Sequence, residues 1–353
     1  MTIRYPTPAT SPDGGPIDAV IAWVDGDDPA HAAKRAAVED RASHSEADRP
    51  TRWAASHEIY WCIASILMHA PYVRTIWVVT DEQTPAHLAA FAEAGLVAPG
   101  RLRVVDHAEV FAGVPAALPT FNSLTIEAVL HRIPGLAERF VYFNDDFFLC
   151  RDIPAAAWFD AEGRPVLHGR WEPPEDRRAK VQIRRWLRRL TFRPPNMRPS
   201  YRVAHWEGAR LAGVTGDYIL QEHHPHPMRR STLEAFHAGR PEVLARQASY
   251  RFRHRDQYLP VSLANHLEVA RFGAPRAEDV EVAYLKASDR KFGGAPDVDA
   301  FEAAVMGGKV PFGCLQSLDE ADPATRARLI RIMTERFAPA LPPVLSRSEE
   351  TIR

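Results

Sequence analysis

Along residues 17–146, short and nearly continuous apolar runs alternate with stretches whose apolar positions recur at helical spacing. The run IDAVIAWV (17–24) has strand length and reads as a strand buried on both faces, as in a parallel sheet. TIWVVT (75–80), RLRVVD (101–106) and RFVYFND (139–145) repeat the pattern. Between them, HEIYWCIASILMH (57–69) sets Ile59, Ile63, Ile66 and Leu67 at helical spacing and is ended by Pro71. Residues 85–93 read as a second helix, stopped by Gly95. Asn122 and Ser123 can cap a third, with Ile126, Val129, Leu130 and Ile133 on one face. The order β, α, β, α, β, α, β predicts an α/β fold, a mostly parallel sheet with flanking helices.

In such sheets ligands bind beyond the carboxyl ends of the strands. Here those ends carry Asp25, Asp27 and Asp28, then Thr80 and Asp81, then Asp106, then Asp145 and Asp146. The second half is less regular, with helices predicted near 229–238, 240–248 and 261–271. A last helix starts from Asp322, with Pro323 at its first position and Leu329, Met333 and Phe337 buried.

Composition narrows the class. The 353 residues are 46% hydrophobic and 25% charged, an ordinary globular balance. The formal net charge of -1 leaves any charged partner to local clusters, and no nucleic-acid partner is expected. Cys62, Cys150 and Cys314 are far apart and odd in number, which argues against a disulfide framework or a zinc site and suits a reducing compartment. The first residues lack the apolar core of a signal peptide, and no run approaches the roughly eighteen apolar residues of a membrane span. The expected location is cytoplasmic, peripheral at the inner face of the membrane if a basic segment binds there.

Several segments carry candidate chemistry. VYFNDDFFL (141–149) sets Asp145 and Asp146 between apolar runs, where neighbouring carboxylates repel. Either the chain turns into water there, or the pair holds Mg²⁺ or Mn²⁺, hard cations that take carboxylate and phosphate oxygens. WVDGDDP (23–29) is a turn, or a loop that Gly26 lets approach a ligand. In EHHPHPM (222–228) the prolines hold the chain extended, so His224 and His226 point one way and His223 the other. That spacing suits a single basic histidine, or a polar loop, better than a tri-histidine metal site. YRFRHRDQY (250–258) would place Arg251, Arg253 and Arg255 on one face of a strand, as phosphate-binding forks or as an exposed basic surface. RRAKVQIRRWLRRLTFR (177–193) reads as a basic amphipathic helix, suited to an anionic membrane surface or to the protein's own core.

Taken in order, four blocks resemble the Stealth family, which includes bacterial capsular and exopolysaccharide phosphotransferases and the animal enzyme that adds GlcNAc-1-phosphate to lysosomal glycoproteins. The blocks are IDAVIAWVDGDDP, the stretch from Arg52 to Leu149, HHPHPMRRS with RFRHRDQYLPVSL, and CLQSLDEADP (314–323) with the helix after it. The resemblance implies a glycosyltransferase-A-like nucleotide-sugar-binding core with a helical C-terminal part. It also implies a transferase that moves a hexose-1-phosphate or N-acetylhexosamine-1-phosphate from a UDP-sugar donor to a hydroxyl of a glycan or polysaccharide acceptor, releasing UMP, with Mg²⁺ or Mn²⁺ as cofactor. Carried over by position, Asp28, Asp145 and Asp146 would hold the metal. His223 would be the base and Arg253 the grip on phosphorus, with Asp146 part of the catalytic set. Asp25, Arg52, Asn122, Ser123, Asn144 and Asp256 would contact substrate. Glu127 and His131 also match the second block. Ala55-Ser56, Leu124 and Gln316-Ser317 depart from the family's usual residues.

The expected organisation is a tail (1–16), a single catalytic domain (17–340) and a second tail (341–353). Within the domain lie an α/β half (17–160), a basic insert (171–202) and a mainly helical half (203–340). The rival readings are a metal-dependent glycosyltransferase that releases UDP, and a non-catalytic polysaccharide-binding protein.

Overall fold

The computed structural model describes residues 15–38, 57–177, 182–183, 200–277, 280–288 and 297–346. Arg52, the Ala55-Ser56 pair, most of the basic helix expected at 177–193, and most of both tails lie outside the described residues.

In chain order the first half runs β1 (Ile17–Ala22), α1 (Pro29–Val38), α2 (Glu58–His69), β2 (Ile76–Thr80), α3 (Leu88–Glu93), β3 (Leu102–Asp106), α4 (His107–Val110), α5 (Ser123–Glu127), β4 (Arg139–Asn144) and β5 (Phe147–Leu149). The second half adds β6 (Arg170–Glu172), α6 (Tyr201–Leu211), β7 (Tyr218–Leu220), β8 (His226–Arg229), α7 (Arg230–Gly239), α8 (Pro241–Ala248), α9 (Pro260–Phe272), β9 (Val282–Lys286), α10 (Val298–Gly307), β10 (Phe312–Gln316) and α11 (Pro323–Phe337).

The main sheet has the order β3-β2-β1-β4-β8, with β3, β2, β1 and β4 parallel and β8 antiparallel on the edge. The expected α/β class with a mostly parallel sheet is therefore what the chain adopts. Alternation explains why the strands read as continuous apolar runs. Ile17, Ala19 and Ile21 of β1, Ile76 and Val78 of β2, and Val141 and Phe143 of β4 enter one core with α2 and α11. Val20, Trp77, Val79, Phe140 and Tyr142 enter the other, with α7, α8 and α9. Asp18 is a fully buried exception on β1. Its carboxylate accepts from Arg74 Nε and Nη2, Trp77 Nε1 and the backbone N–H groups of Thr75 and Ala137. Each lone pair thus has a donor, which makes the burial tolerable.

Other differences have local causes. The helix expected over 122–133 is the short α5 followed by a 3-10 turn at Leu130–Arg132. Pro134 disfavours helical backbone at the residue before it. Residues 250–258 form no strand. Asn122 Nδ2 donates to the oxygens of Tyr250 and Phe252, and Phe121 N donates to that of Arg251, so these three carbonyls are satisfied outside any ladder.

A second sheet, β5-β10-β9, pairs β10 antiparallel to β5 and parallel to β9. Asp145 and Asp146 alone separate β4 of the first sheet from β5 of the second. Within the second sheet β10 lies tight against β5. A Cβ on Gly313 of β10 would lie 2.1 Å from Phe148 Cε2, so only glycine fits opposite that ring.

Candidate active site

A cleft of about 520 Å³ opens at the carboxyl ends of β1, β2 and β4. Its floor is the Asn144-Asp145-Asp146 turn. Asn144 Oδ1 accepts from Tyr142 Oη at 2.7 Å, which fixes the turn's first residue. Asp145 and Asp146 are half-buried. Burial and then the neighbouring Asp146 charge raise the Asp145 carboxyl well above the usual range. Burial also raises Asp146, against the hydrogen bond from Gln316 and the nearby His223. Asp146 Oδ1 has no hydrogen-bond partner, while Oδ2 meets Cys314 Sγ at 3.6 Å.

One wall comes from α5 and the loop before it. Asn122 caps α5, its Oδ1 accepting from Leu124 N at 3.2 Å. Ser123 Oγ accepts from Arg253 Nη2 at 2.7 Å, which turns the guanidinium toward the cleft that both residues line. Behind them, burial pushes Glu127 up to about 7, against the Arg253 charge and hydrogen bonds from Ser123 and Tyr142. The opposite wall is the second sheet, which contributes Lys286 of β9 and Leu315 and Gln316 of β10, followed by Ser317. His223 lines the cleft beside Tyr201, while His224 and His226 turn inward and pack at 4.8 Å, as the prolines imply. Burial lowers the His223 imidazole, and the Asp146 and Glu222 charges oppose this.

The far end is formed by Trp23, His31, Asp81 and His107. His107 is buried with neither ring nitrogen hydrogen-bonded, and Asp81 Oδ1 is 3.9 Å from its Nδ1. Burial lowers its pKa to about 4.

The cleft thus gathers seven of the residues singled out from sequence: Asn122, Ser123, Asn144, Asp145, Asp146, His223 and Arg253. Asp25, Asp28 and Asp256 are not among its lining residues. Gln83 staples the first loop, donating from Nε2 to Asp25 O and to Asp28 Oδ2 at 2.8 Å. Asp28 Oδ1 accepts from Ala30 N at the start of α1, so both of its oxygens are engaged. Asp256 is exposed beside Arg246 and Arg255. The expected three-carboxylate set is not assembled, and among the described residues no three His, Cys, Asp or Glu side chains could jointly hold a metal. Two adjacent carboxylates with an unpartnered oxygen still fit Mg²⁺ or Mn²⁺, which bind through one or two carboxylates and complete their shell with water and phosphate.

Sequence reading did not assign Lys286, Tyr201 or His107 to the site, nor Tyr284, which is not among the lining residues but stacks on His223. Asp81 was visible only as one of several acidic strand ends, and Gln316 only as a departure from a family pattern.

Residues 15–43 match the family description "Stealth protein CR1, conserved region 1", and residues 52–167 match "Stealth protein CR2, conserved region 2". The chain belongs to the Stealth family. Among similar Stealth relatives, an exopolysaccharide phosphotransferase of Streptomyces coelicolor is 34% identical over 249 residues, which cover 70% of this chain and 42% of the relative. A capsular polysaccharide phosphotransferase of Actinobacillus pleuropneumoniae is 37% identical over 150 residues, covering 42% of this chain and 39% of the relative. The chain therefore spans less than half the length of these curated relatives. Among solved structures, the galactosyltransferase LgtC with donor and acceptor sugar analogues aligns over 84% of this chain and 86% of its own, with TM-score 0.37 and 13% identity.

Proposed function

We propose that this Stealth chain transfers a sugar-1-phosphate from a UDP-sugar to a hydroxyl of a glycan acceptor, releasing UMP. The observation that carries the reading is the meeting of Asp145, Asp146, Arg253 and His223 in one cleft. The two relatives described above are named as phosphotransferases for exopolysaccharide and capsular polysaccharide, which supports the same class.

In this reading Asp145 and Asp146 hold a divalent cation. When bound, it would neutralise the donor diphosphate and the leaving phosphate. Arg253, aimed by Ser123, grips the phosphoryl oxygens of the phosphorus under attack. His223 takes the proton from the acceptor hydroxyl as its oxygen bonds to phosphorus. The bond from that phosphorus to the bridging oxygen breaks, and UMP leaves with the electron pair. Glu127 sits behind Arg253 and steadies it through Ser123 and charge. The protein's work is then positioning and charge neutralisation, as phosphoryl transfer requires. Asp25, Asp28 and Asp256 stay as proposed contacts only if substrate draws their segments toward the cleft, and Arg52, outside the described residues, stays a proposed contact as well. Association with an anionic membrane surface through 177–193 is likewise a proposal. No helix among the described residues is long and apolar enough to cross a membrane.

The test is to incubate the protein with UDP-sugars, a glycan acceptor and Mn²⁺ or Mg²⁺, and to identify the nucleotide released. UMP is expected. UDP would mean that the phosphate stayed behind and the reaction is ordinary glycosyl transfer.

A further inference from the structure

The His223 ring stacks with two tyrosines. Tyr201, the first residue of α6, stacks on one side with ring centroids 5.6 Å apart and planes 24° apart. Tyr284, in the middle of β9, stacks at 5.2 Å and 15°. Phe147 meets the same imidazole edge-on at 6.5 Å. Both tyrosine hydroxyls are tethered. Tyr201 Oη donates to Gln221 O, and Tyr284 Oη donates to Gln316 Oε1, each at 3.0 Å. The rings are therefore fixed at both ends, by backbone and by hydroxyl.

Core packing does not account for this arrangement. Tyr201 is 41% exposed and Tyr284 42%, so each forgoes much of the burial an aromatic ring can gain. Their shared contact is the imidazole. A ring stacked on two near-parallel rings cannot swing about its χ2 bond without driving its edge into one of them, so its rim is what it offers the cleft. The lone pair that accepts a proton lies in the plane of that rim. A hydroxyl must approach there, since hydrogen bonds weaken steeply off axis.

We propose that Tyr201 and Tyr284 are positioning residues that clamp His223 so that its ring edge meets the acceptor hydroxyl. This rests on the proposed role of His223 as the base and adds residues that neither strand pattern nor charge pattern signals. The second sheet thereby does two jobs at one place. Cys314 of β10, the residue opposite Tyr284 on β9, touches Asp146, and Gln316 joins Tyr284 to Asp146.

The test compares Tyr201→Leu and Tyr284→Leu with Tyr201→Phe and Tyr284→Phe in the full chain, each in the wild-type and His223→Ala backgrounds. The Leu variants should lower kcat about tenfold or more, as expected for a displaced reacting group, with donor Kd unchanged. The Phe variants keep the stack and should recover most of that loss. In the His223→Ala background the Leu substitutions should change kcat by less than about twofold, because the clamped group is gone. Should a Leu variant lose its thermal transition, Gln at the same position replaces it. Equal losses in both backgrounds, or full kcat in the Leu variants, would overturn the clamp and leave the base intact. Wild-type turnover in His223→Ala alone would overturn the base, and the clamp with it.

Discussion

Asp145 and Asp146 carry opposite consequences for stability and for ligand binding. Each is raised above the ordinary carboxylate range because charge there is partly desolvated, and in Asp145 the neighbouring charge adds to it. Neutralising either one should relieve that repulsion. On the proposed function we expect Mn²⁺ to raise the Tm of the wild type, and Asp145→Asn and Asp146→Asn to raise the Tm of protein stripped with a chelator while abolishing that Mn²⁺-dependent increase. Differential scanning calorimetry with and without Mn²⁺ checks both signs at once. At this scale the sequence was partly legible. Two acids inside an apolar run announce an unusual cost, and the cleft is where the cost is met. Asp28, an acid in the turn after the first strand, serves instead as a helix cap, its two oxygens taken by Gln83 and Ala30. Tyr284 and Lys286 gave no signal, since strand pairing, not any local pattern, brings Lys286 to the cleft and Tyr284 to His223.

Single elements show where pattern reading works and where it stops. β1, β2 and β4 were readable because both of their faces enter apolar cores, whereas β3 leaves Arg103 and Val104 exposed. Even there, Asp18 was hidden inside the first run, its five donors coming from segments far along the chain. β5, with three residues, is too short to show a period of its own, and its identity depends on β10 lying beside it. That contact is unforgiving. Gly313→Ala would push a methyl into the Phe148 ring and should cost about 1–3 kcal/mol, the usual range for overpacking. Because β10 also carries Gln316 and Cys314 to Asp146, catalytic turnover should fall along with stability. Gly239→Ala, with nothing within 4 Å of the new carbon, is the control and should leave turnover unchanged. Urea titration and steady-state rates on the two variants separate these outcomes.

For the molecule as a whole, buried histidines set the response to acid. Burial lowers His107, His224, His237 and His266 to about 4 and His131 to about 3. Their unfolded value is near 6.5. Between about pH 6.5 and about pH 4 the unfolded chain therefore binds more protons than the fold, and stability falls as pH drops. Glu127, pushed up to about 7, has the opposite sign, since the fold holds its proton better than the unfolded chain does, and Asp145 and Asp146 share that sign. Burial also holds His205 and His226 well below the ordinary value, and the lowered histidines outnumber the raised carboxylates, Asp319 included, which sets the net direction. We expect Tm, measured without added metal, to fall steadily from about pH 7.5 to about pH 5. A flat or rising profile would mean that the carboxylates dominate.

The junction of the two sheets has a mechanical consequence. A span of only two residues joins β4 to β5, and those two residues are the acids themselves. There is no slack in which one sheet could slide past the other without dragging the carboxylates along. Seating a cation at that seam and drawing the sheets into register would be a single event, so the protein would stiffen along this line at the moment it is loaded.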